Sequence, residues 1–167
     1  SSLTSYIEKY PDGSRVPLAR FYLGESYRQA GRLQDACDNY SKALACSEGS
    51  VREMSLLRYS ELSFGLQKYD DAYSGYSELY DKALIPANRS SAAVGMMRSA
   101  SQARKYHETL RATGLVLGDS GTDDAVRNEA VYIKAKSLLA VSRRDEAMDI
   151  FRDLAKNPAT EYGAESA

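Results

Sequence analysis

Few stretches of this 167-residue sequence hold residue types that could do chemistry. His107, the single histidine, lies in "RKYHETL". As a general base it would need a partner to orient its ring and a proton to take, and no such group stands at a recognisable spacing, so a solvated helix position accounts for it. Gly118 to Gly121 reads "GDSG", in which Ser120 could be a nucleophile, but the Gly-Pro that would follow is absent and no histidine has a suitable context. "DSGTDD" from Asp119 offers carboxylates without the alternating ligands and closing glutamate of a calcium loop, and Thr122 or Asp123 as a helix cap explains it better. Cys37 and Cys46 would face opposite sides of one helix, about 13 Å apart along its axis, and read as two small, partly buried hydrophobes. No phosphate-cradling glycine loop or zinc-ligand spacing occurs, and "NRS" at Asn88 is a formal glycosylation triplet of low specificity. The sequence therefore predicts no catalytic residue, no metal site and no cofactor.

Composition narrows the class. With 43% hydrophobic and 27% charged residues and a formal net charge of -1, the chain is globular and has no electrostatic footprint for nucleic acid. Thirteen tyrosines without a tryptophan lack the basic setting of a base-stacking platform and fall largely on packing positions. No run approaches the roughly 18 apolar residues of a membrane-spanning helix, and "SSLTSYIEKYPDG" lacks the regions of a signal peptide, so no membrane insertion is expected of this segment and any targeting segment has been removed.

The elements that organise the chain emerge when it is slid along itself. Ala36, Ala72, Thr109 and Ala147 align with their flanks "GRLQDACDNY", "QKYDDAYSGY", "RKYHETLRAT" and "RRDEAMDIF", at spacings of 36, 37 and 38 residues. A period in this range is the signature of stacked helical hairpins, each of which buries its apolar stripe against its neighbours. Apolar residues recur at three and four positions in both arms, as in Leu18, Phe21, Tyr22 and Tyr27, then Leu33, Ala36, Tyr40, Ala43 and Leu44. Gly31 falls between the arms, where a left-handed residue ends a helix, and Asp35, Asp70, Asp71, Glu108, Asp145 and Glu146 fall in first turns, facing the positive dipole end. Gly24, costly in a helix interior, is explained if it and Ala36 let two backbones approach while Tyr27 and Tyr40 fill the space beside them.

The pattern Leu23-Gly24, Tyr27, Gly31, Ala36, Tyr40 and Ala43 resembles the tetratricopeptide repeat (TPR), with Arg20 in place of the usual tryptophan and Glu48 in place of the late proline. The second unit keeps Tyr59, Ala72 and Tyr76 but has Ser60 for the glycine. The third has Met96, Met97, Ala100, Tyr106 and Thr109, and the fourth keeps Ala135, Leu138, Ala147, Phe151 and Leu154. The resemblance implies an all-α, right-handed superhelix of antiparallel helix pairs over one array. Residues 1–16 would be the second helix of a preceding repeat and a junction. Repeats would cover 17–50, 51–87, 88–122 (degenerate) and 123–158, with 159–167 opening a truncated next repeat. "YIEKYPDGSRVPLARFYLG" and "NPATEYGAESA" resemble the junctions of bacterial cell-envelope TPR proteins of the TolA-binding and outer-membrane assembly lipoprotein type, which implies a periplasmic or envelope setting, with cytoplasm as the alternative. On this reading the chain is a fragment with uncapped ends, in which Leu138, Phe151 and Leu154 lack part of their cover and drive self-association.

In this family the first helices line a concave groove. The inward positions correspond to Leu18, Phe21, Glu25, Arg28 and Gln29, then Met54, Leu57, Glu61 and Phe64, then Val94, Arg98, Ser101 and Gln102, then Tyr132, Lys136 and Leu139. The expected groove has Glu25 and Glu61 central in its first half, Arg98 and Lys136 in its second, and Phe21, Phe64 and Tyr132 as apolar anchors. The family's clamp for chaperone C-termini uses lysine and asparagine where this chain has Phe21 and Glu25, which disfavours that ligand. The function implied is non-catalytic capture of a protein, as a peptide or helix. A spacer in a longer repeat protein and a small-ligand or sugar receptor are the alternatives.

Overall fold

A computed structural model describes residues 2–45, 47–156 and 161–166. Cys46 and the "NPAT" part of the C-terminal junction lie outside them. Among the described residues ten helices follow in order: α1 (Ser2–Lys9), α2 (Val16–Gln29), α3 (Leu33–Leu44), α4 (Gly49–Gly65), α5 (Tyr69–Lys82), α6 (Pro86–Gln102), α7 (Tyr106–Gly118), α8 (Asp124–Ala140), α9 (Arg144–Ala155) and α10 (Glu161–Ser166). The all-α class of paired helices expected from the sequence is the one observed, and the described residues contain no strand. The chain forms two compact units, 1–92 and 93–167, and the division falls within α6. In the first, α2 packs on α3 and α4 on α5, with α3 against α4 and α1 against α2. In the second, α7 packs on α8 and α8 on α9.

The repeat is written most clearly in the backbone of the turns. Gly31, Gln67, Arg104 and Ser142 all have left-handed φ, at 75°, 60°, 57° and 65°. The next amide reaches back over each turn: Arg32 N to Tyr27 O, Lys68 N to Ser63 O, Lys105 N to Ala100 O and Arg143 N to Leu138 O, all at 2.8–2.9 Å. This double-back closes a helix C-terminus by satisfying its orphan carbonyls, and glycine is only its least strained occupant. The same four basic residues are the N-caps of α3, α5, α7 and α9. Their carbonyls accept from the amides of Ala36, Ala72, Thr109 and Ala147, all of which are fully buried. A cation at a helix N-terminus opposes the dipole, and the acidic first turns answer it, with Arg32–Asp35 and Arg143–Glu146 paired at 2.7 Å.

Close approach inside the hairpins is solved differently each time. A Cβ at Gly24 would lie 2.6 Å from Cε1 of the buried Tyr40 ring, so the α2–α3 hairpin requires the bare backbone expected there. In the α4–α5 hairpin the missing Cβ has moved to the other helix, where one at Gly75 would lie 2.2 Å from Ser60 Oγ. In the third hairpin the places of Gly24 and Tyr40 are taken by Met97 and Thr113, both fully buried, so the large residue stands on the first helix and the small one on the second. Thr109 and Thr113 hydroxyls donate to the carbonyls of Lys105 and Leu110 in their own helix, so neither buries an unmet polar group.

Neighbouring hairpins are tied by arginines at a common register. Arg52 Nη1 donates to Leu44 O at 2.5 Å, Arg89 Nη2 to Ala83 O at 3.3 Å, and Arg127 Nη1 and Nη2 to Leu117 O and Asp119 O at 3.1 Å. Each rises from a first helix to the carbonyls that end the preceding second helix, the negative pole of its dipole. At the chain ends, Ile7 joins Val16, Ala19 and Leu23 in a buried cluster, and α10 lies against α8 and α9. Of the three residues expected to lack cover, Leu138 and Leu154 are buried, while Phe151 is half-buried.

Candidate functional site

Glu25 is the centre of the expected groove in the first unit, and four side chains from three helices meet there. Its Oε1 accepts from Tyr40 OH of α3 at 2.5 Å and from Arg58 Nε of α4 at 3.1 Å, and its Oε2 from Arg28 Nη2 at 3.0 Å. Arg58 also donates to Glu61 at 3.1 Å. Partial burial raises the Glu25 pKa, but the hydrogen bonds from Arg28 and Tyr40 and the Arg58 charge outweigh it, so the carboxyl titrates below its ordinary range. Burial and the neighbouring carboxylate push the Tyr40 phenol up, so it stays a proton donor. The result is a fixed mosaic of two guanidinium groups and two carboxylates across α2 and α4, with Arg28, Arg58 and Glu61 partly or well exposed.

Several sequence expectations are corrected here. Phe21 is 7% exposed and packs with Ala36 and Tyr40, so it is core and cannot anchor a ligand; the exposed ring is that of its neighbour Tyr22, 51% accessible and edge-on to Phe21. Glu25 is not a free charge, because its oxygens are taken up within the protein. Leu57 and Phe64 are half-buried, and Phe64 packs edge-on against Tyr69.

In the second unit, Arg98 meets Glu129 of α8 through two hydrogen bonds of 2.8 and 2.7 Å. Gln102 is exposed, and Lys136 lies over the Tyr132 ring at 5.4 Å, while Tyr132 stacks edge-on against Phe151. The predicted change of charge sign between Glu25 and Arg98 is thus largely answered internally. Arg58 and Glu129 were missed by sequence reasoning because each partner lies more than 30 residues from the one it meets, and only the repeat period could have suggested them.

The remaining motifs resolve simply. His107 is exposed in the first turn of α7, and Asp123 caps α8 by accepting from Val126 N at 2.9 Å, so the "DSGTDD" loop is a helix start. Cys37 is a buried free thiol, held above its ordinary pKa chiefly by burial. Asn88, the asparagine of the glycosylation triplet, donates through Nδ2 to Glu53 at 2.8 Å. Glu53 is a carboxylate that the sequence did not single out. Only 5% exposed, it accepts from Leu84 N, Ile85 N and Asn88 at 2.8–3.0 Å, and although burial works against ionisation these donors hold its pKa below the ordinary carboxylate range. It ties the connection between α5 and α6 to α4. Among the described residues no cluster of ligating side chains could hold a metal, and no helix is long and apolar enough to cross a membrane.

Residues 18–45 match the family model of the tetratricopeptide repeat. A tetratricopeptide repeat protein from Parabacteroides merdae has a similar structure, with a TM-score of 0.67 at 19% identity; the match covers 96% of this chain and 59% of that one. A putative kinesin light chain of Podosopora anserina with nearly identical TPR-like repeats gives a TM-score of 0.61 at 13% identity, covering 95% and 86%. A variant of that protein gives 0.60 at 14%, with the same coverage. These likenesses show the fold, and the chain spans about three-fifths of the Parabacteroides merdae protein. No curated protein sequence matches the chain.

Proposed function

We propose that this chain is a non-catalytic protein-binding module that receives a peptide or partner helix on the inner faces of its first helices, in bacterial cell-envelope assembly. The observation that carries the reading is the mosaic around Glu25. Its ion pairs hold Arg28, Arg58 and Glu61 in fixed positions beside the exposed Met54, so a partner would meet ordered donors and acceptors with little further loss of side-chain freedom. Arg98, Gln102, Tyr132 and Lys136 make a second polar patch, within the other unit, with a stacked aromatic at its base. The envelope setting is supported by the resemblance of the Tyr-Pro and Asn-Pro junctions.

The test is crosslinking capture from the native host with the chain as bait, comparing wild type with a Met54→Glu, Glu61→Lys variant. Both positions are exposed, so the thermal midpoint should stay within about 2 °C while capture is lost. Unchanged capture would overturn the inner faces as the binding surface, no capture even by wild type would favour a spacer, and recovery of only cytoplasmic proteins would overturn the envelope setting.

A further inference from the structure

The start of α6 brings no acid of its own. Ile85, whose carbonyl accepts from the amides of Asn88 and Arg89, has no side-chain acceptor, Pro86 follows it, and the first turn holds no acidic residue. The carboxylate comes instead from α4, where Glu53 Oε2 accepts from Leu84 N at 2.8 Å, and Oε1 from Ile85 N at 3.0 Å and Asn88 Nδ2 at 2.8 Å. An anion placed there also meets the positive pole of α6. The exposed Leu84 and Ile85, at 70% and 53%, are thereby held at fixed positions on the connection between α5 and α6.

No cation among the described residues shares this task. The charged groups around Glu53 are Glu48 and Arg52 on its own segment, Glu78 and Lys82 from α5 and Arg89 from α6, while α3 brings Leu44 and Ala45 alongside and α2 meets α4 further on, through Glu25 and Arg58. Arg52 donates to Leu44 O and Glu78, Lys82 to Glu78 and Arg89 to Ala83 O, which leaves Glu53 with its three N–H donors. Each of its oxygens faces a donor, so a proton placed on either one meets an N–H and breaks that bond. We infer that Glu53 is an acid-released latch: ionised, it holds residues 84–88 to α4, and on taking up a proton it frees Leu84 and Ile85 while the α4–α5 hairpin stays folded. Burial alone would raise its pKa, but the hydrogen bonds from Asn88, Leu84 and Ile85 outweigh it and hold it below the ordinary value of 4.5. The latch is therefore closed above that value and opens as pH falls through the lower value of the folded state.

The test follows the Glu53 side-chain carboxyl and the amide hydrogen exchange of the isotope-labelled 167-residue chain by NMR, from about pH 7 to about pH 3. Protection of the Leu84 and Ile85 amides should fall about tenfold in step with the Glu53 carboxyl titration, while the Tyr76 and Leu79 amides within α5 keep theirs. Asn88→Ala, which removes one of the three donors, should move both the titration and the release up by about one pH unit. Glu53→Gln, which turns an NH2 group toward those donors, should expose the Leu84 and Ile85 amides about tenfold already at neutral pH. If Glu53→Gln does not fold, the wild-type and Asn88→Ala titrations carry the test. Unchanged protection of Leu84 and Ile85 across the Glu53 titration, or an unmoved midpoint in Asn88→Ala, would overturn the inference. Loss of protection in every helix at that same pH would also overturn it, since Glu53 would then support the whole unit and not the connection.

Discussion

The hairpins α2–α3 and α4–α5 are consecutive copies of one plan, and they differ in which helix gives up its side chain. In the first, Gly24 faces the rigid Tyr40 ring; in the second, Gly75 faces the Ser60 hydroxyl. Their inward acids differ in parallel. Glu25 is knitted to Tyr40, Arg28 and Arg58, whereas Glu61 is exposed and contacts Arg58 across one turn of its own helix. The plan thus fixes a backbone separation, while the residue that permits it and the polar cluster above it are free to vary. Where a large ring fills the gap, it also brings a hydroxyl up to the acid.

The sharpest way to break this comparison is to restore the Cβ in each hairpin. Gly24→Ala should destabilise by about 1–3 kcal/mol, because the displaced atoms belong to a buried ring. Gly75→Ala displaces a hydroxyl that can change rotamer, and alanine regains about 1 kcal/mol of helix propensity, so the two effects should nearly cancel. Removing the obstacle as well, in Ser60→Ala with Gly75→Ala, should raise the denaturation midpoint above wild type. Equal losses at Gly24 and Gly75 in chemical denaturation would show that the two gaps are equally rigid.

A smaller effect should separate the two acids. Glu25→Gln should cost about 1–2 kcal/mol by weakening charge-assisted bonds to three partners, whereas Glu61→Gln should leave the midpoint unchanged. The Glu25 pKa is lowered in the folded state, so its contribution is present above the ordinary carboxylate value of 4.5 and is lost as pH falls through the depressed folded value. Acid titrations of stability should therefore lose part of their low-pH slope in Glu25→Gln.

The smallest contrast lies in the turns. Gly31→Ala should cost about 1 kcal/mol at its φ of 75°, whereas Gln67→Gly should gain up to about 1 kcal/mol, since glutamine bears the left-handed strain there. Thermal melts of the two variants should move in opposite directions.

How much of this was legible in the sequence follows from what a period can encode. Spacings of 36, 37 and 38 placed Ala36, Ala72, Thr109 and Ala147, and all four are fully buried at hairpin contacts. Gly31 marked the left-handed position, but the backbone repeats it at Gln67, Arg104 and Ser142, where composition carries no sign of it. Periodicity could not distinguish Phe21 from Tyr22, since both border the apolar stripe and only the position of Tyr40 decides which turns inward. Nor could it find Arg58 for Glu25 or Glu129 for Arg98, because such pairs depend on the reach of long side chains between neighbouring helices. Glu53 was invisible for the same reason: in sequence it is one more helix acid, and only the fold sets it beneath the amides of Leu84 and Ile85.

The arginine ties bear on how such a chain can change length. Within each hairpin the turn between helices is always three residues, at 30–32, 66–68, 103–105 and 141–143, and its left-handed geometry leaves no room for another. The connections spanned by Arg52, Arg89 and Arg127 run over 45–48, 83–85 and 119–123, so they already differ in length while a long, flexible side chain still finds the carbonyls behind it. Insertions and deletions in descendants of this sequence should therefore accumulate in the connections, the 119–123 loop above all, and be purged from the hairpin turns. That same loop is the natural place to graft a foreign peptide without disturbing the units.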